Sequence, residues 1–165
     1  MSDFMKNLSS YNLFTNLLPG VVFCVLASKL FSFDLVQSDI VTGVFFYYFV
    51  GVVVGRVGSL IIEPTLKWIN FISFSKYSDF VNASSKDSKL TILSETNNMY
   101  RSLFAVISAL GVIKIYFVFE EYLKFISDNS TSILLSVLFI LFTWSYRKQT
   151  AYVKARVEAN LNKDS

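Results

Sequence analysis

Four apolar stretches constrain this chain most strongly, because each is close to the roughly 20 residues that a helix needs to cross the hydrocarbon core of a bilayer. They cover about residues 11–31, 40–62, 102–119 and 130–146. Arg56 interrupts the second stretch and Lys114 the third, whereas the fourth carries no charge. The alternating pattern that is typical of membrane barrel strands is absent. The sequence therefore predicts an all-α, integral membrane four-helix bundle that forms one membrane domain over residues 1–165.

The composition favours a surface that faces lipid. Of the 165 residues, 53% are hydrophobic and 16% are charged, whereas about a quarter of the residues are charged in an ordinary soluble domain. A soluble protein with so few charges would struggle to cover its own surface with polar groups. A bilayer removes this difficulty, because hydrocarbon solvates apolar side chains.

The distribution of basic residues predicts an orientation in the membrane. Eleven of the 15 Lys and Arg residues fall in the N-terminus, the loop 63–101 and the tail 147–165, which a four-span topology places on one side. By the positive-inside rule this side is cytoplasmic. Aromatic residues stand at the predicted cytoplasmic boundaries, as in an interfacial belt; they are Trp68, Tyr100, Trp144 and Tyr146. We therefore predict a multi-pass protein of the inner (plasma) membrane with both termini in the cytoplasm.

The segments outside the four stretches have patterns of their own. Residues 65–80 mix large apolar side chains with lysines, which predicts a helix lying at the membrane interface. Residues 82–88 are rich in Ser, Asn, Asp and Lys and predict a turn. Residues 89–100 predict a helix that runs into the third span. Residues 147–161 contain no Pro or Gly, so we expect them to continue the fourth span as a cytoplasmic C-terminal helix.

This C-terminal helix carries a possible docking surface. Val153, Val157 and Leu161 recur at a spacing of four and share one helix face, with basic side chains such as Lys154 and Arg156 opposite. One interpretation is a solvated helix end that anchors the chain near anionic lipid. The other is a docking helix for another subunit or for a soluble partner.

Small residues form a face on the second span. They are Gly51, Gly55, Gly58 and Ser59. Small side chains let two helix backbones approach closely, which favours helix–helix contact in lipid. The pattern predicts contact with another helix, either of the same chain or of a second protomer.

Two charged residues stand on one side of the second span. Arg56 and Glu63 are seven residues apart, so a regular helix brings them to the same face. Charges within a membrane are costly and are candidates for function. Arg56 could snorkel to water or join an ion pair within the bundle, and the alternative is a role in a pore or relay.

Polar groups in the other spans are weaker candidates. Lys114 falls in the outer half of the third span, where it could reach the acidic pair at 120–121 or line a cavity. Asn12, Thr15 and Asn16 form a polar stripe in the first span. Such side chains seek partners on neighbouring helices, so the stripe predicts packing between helices, with ligand binding as the alternative.

The chain lacks the residues of most enzyme sites. It contains no histidine and a single cysteine, Cys24, which removes the commonest general base and metal ligand and any thiolate cluster. No nucleotide-binding loop, zinc motif or nucleophile elbow is present. The basic patches border membrane spans, so topology accounts for them without nucleic acid. We predict no enzymatic activity, no cofactor, no metal and no direct nucleic-acid partner.

Three segments stand out as distinctive blocks: residues 16–20 (NLLPG), 95–101 (ETNNMYR) and 146–152 (YRKQTAY). With its size, its four-span layout and its basic cytoplasmic side, the whole chain resembles the small four-span bacterial membrane subunits of phage-defence operons, with the Kiwa-type membrane component as the nearest candidate. The resemblance implies a membrane sensor or anchor that oligomerises and recruits a cytosolic effector. No residue role is carried over from it.

The sequence thus predicts a non-enzymatic membrane subunit whose partners are the lipid bilayer, further copies of itself and a cytosolic protein effector. One alternative is a small ion channel or transporter, with Asn12, Asn16, Arg56 and Lys114 as pore-lining residues. A membrane-depolarising effector of the holin or toxin kind is the other.

Overall fold

The computed structural model describes residues 13–119, 126 and 128–161, and these residues form helices and connecting segments without a strand. Four of the helices are long and apolar enough to cross a membrane. They are α1 (Leu13–Phe31), α2 (Ile40–Trp68), α4 (Lys89–Val118) and α5 (Ser130–Leu161), and a short helix α3 (Tyr77–Ser84) lies between α2 and α4. The predicted all-α fold and its four helices of membrane-spanning length and apolarity are confirmed, whereas their orientation stays a prediction. Asn12 and the acidic pair 120–121 lie outside the described residues.

The second span begins at a defined cap. Asp39 precedes α2 in an extended conformation, and its carboxylate accepts a hydrogen bond of 2.7 Å from the backbone N–H of Thr42. An Asp in this position satisfies one of the N–H groups that the first helical turn leaves without a partner. Hydrogen bonds from the side chain and the backbone of Thr42 lower the pKa of Asp39, so the cap stays ionised at neutral pH.

Helices α1 and α2 cross with their backbones in contact. A Cβ on Gly20 would lie 1.8 Å from the carbonyl oxygen of Tyr47, and a Cβ on Gly51 would lie 1.7 Å from that of Asn16. Only glycine fits at such distances, and small residues are what permit close helix approach in lipid. The crossing fixes the first two spans against each other.

The core of the bundle is small and lies between α1, α2 and α4. Its buried residues are Ala27, Val54, Ala105, Val106 and Leu110. Helix α5 stands outside this core and packs on α2, where Leu141 and Ser145 are buried and the rings of Phe49 and Phe142 lie 6.3 Å apart. Only 11% of an apolar stretch of 18 residues in this helix is buried. Most of the fourth span therefore presents its side chains to the surroundings.

The predicted interfacial helix over residues 65–80 is wrong in its extent. Helix α2 continues to Trp68 and ends there, because Asn70 adopts a left-handed conformation with a φ of 57°. Its N–H bonds the carbonyl of Lys67, and the N–H of Phe71 bonds that of Leu66. These two bonds form a Schellman motif, and Asn is one of the few residues that tolerate the left-handed cap.

The predicted turn over residues 82–88 is also displaced, since α3 continues to Ser84 before the turn begins. The two predicted helix extensions are confirmed. Helix α4 starts at Lys89 and continues into the third span without a break, and α5 continues from the fourth span to Leu161.

Helix α3 packs on the last part of α5, where the rings of Tyr77 and Tyr152 lie 5.2 Å apart. We call this end of the bundle, which holds α3, the first turns of α4 and the last turns of α5, the basic end.

Candidate functional site

A buried carboxylate at the basic end contacts cations from three helices. The Glu63 side chain is 7% exposed. Its Oε1 accepts from Lys67 Nζ at 2.9 Å and its Oε2 from Arg101 Nη1 at 2.6 Å. Lys148 Nζ lies 3.7 Å from Oε1. Because these cations come from α2, α4 and α5, Glu63 joins three of the four long helices.

Lys148 also compensates a break in the backbone hydrogen bonding of α2. Residues Gly58–Ile62 form a π-helical turn, in which the N–H of Glu63 bonds the carbonyl of Gly58 instead of that of Ser59. The next residue, Pro64, has no N–H to offer, so the Ser59 carbonyl has no partner within the helix. Lys148 Nζ donates to this carbonyl at 2.6 Å and to Ser59 Oγ at 2.9 Å.

Positive charge exceeds negative charge in this cluster. Glu63 faces the three cations already named, and Arg56 stands half-buried nearby without an ion pair or hydrogen bond among the described residues. The Nε of Arg101 is buried and has no hydrogen-bond partner in the same part of the chain. Buried ions are stable only when paired, so this surplus favours an additional negative group.

Three cavities meet at Arg101. The first, which we call the basic cavity, has a volume of about 530 Å³ and is lined by Arg56, Glu63, Lys67, Arg101 and polar groups that include Asn97 and Gln149. It is wide enough to admit a small polar group. The charged and polar lining is what such a group would need.

A second cavity lies deeper in the bundle. It has a volume of about 330 Å³ and shares Arg56 and Arg101 with the basic cavity. Its other lining residues include Thr15 and Ser102, whose buried hydroxyl oxygens have no hydrogen-bond partner among the described residues. Polar lining thus continues from the basic end into the part of the bundle where α1, α2 and α4 meet.

The third cavity is an open apolar groove of about 420 Å³ between α2 and α4. Its apolar lining comprises Ile62, Leu66, Ile72, Leu103, Phe104 and Ile107. Glu63, Phe74, Asn97 and Arg101 line both this groove and the basic cavity. A charged cavity and an apolar groove are therefore adjacent.

The small-residue face of α2 is filled from within the chain. Gly51 meets Asn16 of α1, and a Cβ on Gly55 would lie 3.5 Å from Ser102 Oγ of α4. A Cβ on Gly58 would lie 3.2 Å from the carbonyl oxygen of Arg101. The predicted contact of this face with another helix occurs here within one protomer, and a contact between protomers at these residues stays a prediction.

The structure brings the predicted charges Arg56 and Glu63 to one cavity without pairing them. Both residues line the basic cavity but form no ion pair with each other. Lys114 is exposed on the C-terminal half of α4, far along that helix from the cluster.

The predicted docking residues of the C-terminal helix lie on its exposed face. Val153, Val157 and Leu161 are 55%, 51% and 66% exposed. Lys154 Nζ lies 3.7 Å from Glu158 Oε1, and both of these side chains are exposed, so this pair contributes little to stability. Arg156 is exposed as well. The apolar stripe is thus available to a partner.

Sequence reasoning missed the roles of Lys67, Arg101 and Lys148, which it used only to orient the spans. The Glu63–Lys67 pair has the i, i+4 spacing that stabilises helices, so this part of the cluster had a local signal. In a regular α-helix Pro64 leaves the carbonyl of Leu60, four residues earlier, without its donor. Only the π-helical turn of the structure makes Ser59 the carbonyl in question. Nothing local identifies Arg101 and Lys148 as the partners.

Comparisons of the chain with models of protein families, with curated proteins and with solved structures gave no match. The function is therefore argued from the geometry of the site.

Proposed function

We propose that this protein is a non-enzymatic, oligomeric subunit of the inner membrane that anchors or senses there and recruits a cytosolic protein, in a bacterial system of anti-phage defence. The observation that carries the proposal is the continuity of α5. A single helix of 32 residues begins as the fourth span and ends as an exposed arm. A change in the position of the span would therefore move the arm as a rigid element.

The arm has one bound face and one free face. Tyr152 contacts Tyr77 of α3 and Ala159 is buried, whereas Val153, Val157 and Leu161 are exposed. An apolar helical stripe of this kind is what helix-in-groove recognition uses. The Glu63 cluster supports the same proposal, because Lys148 ties the base of the arm to α2.

Oligomerisation is supported by the sparse packing of the fourth span. The exposed surface of its apolar part consists mainly of large apolar side chains, with Ser136 and Thr143 among them, and 11% of an apolar stretch of 18 residues in this helix is buried. In lipid, helix association rests on packing and on small or polar side chains, and α5 has both Ser136 and Thr143 exposed.

The experiment is purification of the tagged chain from cells that carry its own operon, followed by identification of the co-purifying operon products and by phage plaque assays. Val153→Asp/Val157→Asp should abolish both co-purification and protection. Asn160→Asp, which adds a negative charge to another exposed position of the arm, should preserve both. Recovery of the wild-type chain as a solitary monomer would contradict the proposal.

A small channel is the second candidate, and the deeper polar cavity favours it. Thr15, Ser102 and Arg56 line this cavity inside the bundle. Anion flux into liposomes that contain the purified chain, abolished by Arg56→Ala but retained by Lys114→Ala, would support the channel. Impermeable liposomes would exclude it.

A further inference from the structure

The basic cavity has the charge of an anion site. Arg56, Lys67 and Arg101 line it, and Glu63 is the one carboxylate among its lining residues in the described part of the chain. Both oxygens of Glu63 are already bonded, to Lys67 and to Arg101. The buried Nε of Arg101 and the whole guanidinium of Arg56 lack protein partners within that part of the chain. Guanidinium groups match the geometry of phosphate oxygens, to which they can donate two parallel hydrogen bonds.

The apolar groove favours an amphiphilic anion as the ligand over a simple anion such as free phosphate. It adjoins the basic cavity through four shared residues and continues along α4 to Phe104 and Ile107, which are 48% and 67% exposed. A free phosphate would use only the charged part. A phospholipid would place its phosphate in the charged part and one acyl chain against the exposed apolar groove.

We propose that the basic cavity and the apolar groove together bind one anionic phospholipid, with its phosphate held by Arg56 and Arg101 and an acyl chain packed along Leu103, Phe104 and Ile107. Juxtaposed basic and apolar surfaces between transmembrane helices are a known mode of lipid headgroup recognition. The site does not depend on the proposed role in defence. It adds a specific lipid to the partners of the chain.

The test is native mass spectrometry of the delipidated full-length chain, titrated with phosphatidylglycerol, with phosphatidylethanolamine and with inorganic phosphate. Wild-type protein should bind one phosphatidylglycerol saturably and at least tenfold more tightly than phosphatidylethanolamine. Arg56→Gln should weaken phosphatidylglycerol binding roughly tenfold, the usual size of a lost hydrogen bond to a charged group. Lys114→Gln, which removes an exposed cation farther along the membrane part of the chain, should leave the affinity unchanged.

A second pair of variants tests the acyl chain. Ile107→Ala should weaken binding about threefold through lost apolar contact, and Ile115→Ala, at another exposed position of α4 outside the groove, should not. Equal affinity for the two phospholipids, or the absence of a saturable adduct, would overturn the proposal. Displacement of phosphatidylglycerol by millimolar phosphate together with an unaffected Ile107→Ala variant would assign the site to a free anion and overturn the lipid. The comparison of lipids on wild-type protein does not depend on whether a variant folds.

Discussion

Lys148 Nζ reaches across 89 positions of sequence to donate to the carbonyl oxygen of Ser59 at 2.6 Å. The carbonyl needs this donor because the π-helical turn and Pro64 together withhold the backbone N–H groups that would otherwise serve it. The lysine in turn lies beside Glu63, which compensates its charge. The Lys148 side chain thus satisfies a backbone carbonyl of α2 and holds α5 against α2 at this point.

The first prediction concerns this lysine. Lys148→Met keeps most of the apolar stem but removes the donor, so the buried Ser59 carbonyl is left unsatisfied. We expect a loss of about 1–3 kcal/mol of unfolding free energy, measured by reversible denaturation in detergent micelles. Lys154→Met is the matched control, because Lys154 is 77% exposed and pairs with Glu158, which is exposed as well. Equal losses in the two variants would contradict the role of Lys148.

The second prediction concerns the counter-charge. Glu63→Gln preserves the volume of the side chain but leaves Arg101 and Lys148 partly buried without a negative partner. Removing one member of a buried ion pair costs about 3–5 kcal/mol, and we expect a loss in this range by the same denaturation measurement. Glu158→Gln, at an exposed site, should cost about 0.5 kcal/mol or less.

A double variant separates the charge effect from general damage to the fold. Glu63→Gln/Arg101→Met also removes one of the unpaired cations, so it should recover part of the stability that Glu63→Gln loses. Additive losses in the double variant would show that repulsion between the cations is not the cause.

The positions of the spans were predictable because they depend on composition alone. Apolar stretches of the required length have few other stable environments, even with Arg56 or Lys114 inside them, and Ile40 and Ser130 are both the predicted and the observed first residues of their helices. The end of α2 was not predictable in the same way. It depends on a single left-handed residue, Asn70, in a segment whose apolar pattern continues beyond it.

The candidate site was only partly visible in the sequence. Glu63 and Lys67 are one turn apart and could be paired from their spacing. Arg101 and Lys148 lie 38 and 89 residues from their partners Glu63 and Ser59, and the packing of α4 and α5 on α2 decides that they meet. Both residues border apolar spans, where the positive-inside rule alone accounts for a basic residue. The sequence therefore offers no reason to look for a partner of Arg101 or Lys148 within the bundle.

The third prediction concerns the end of α2. Asn70→Ala forces a Cβ-bearing residue without a polar side chain into the left-handed region at a φ of 57°, which costs about 1 kcal/mol. Asn70→Gly should be neutral or slightly stabilising, since glycine adopts this conformation freely. Denaturation midpoints of the two variants and of wild-type protein check this order. A Gly variant less stable than the Ala variant would contradict the assigned cap.

The fourth prediction concerns the crossing of α1 and α2. In Gly51→Ala the added Cβ would lie 1.7 Å from the carbonyl oxygen of Asn16, and backbone cannot yield as a side chain can, so the helices must separate. We expect a loss of at least about 1–3 kcal/mol, the usual cost of overpacking, with Gly20→Ala behaving alike.

Gly111→Ala is the control for this crossing, because no described heavy atom beyond its own helix neighbourhood lies within 4 Å of the added Cβ. It should be neutral or slightly stabilising, since alanine restricts the unfolded chain more than glycine does. Detergent denaturation measures all three variants. A Gly51→Ala protein as stable as the Gly111→Ala protein would contradict the backbone contact and, with it, the view that this glycine face is filled within one protomer.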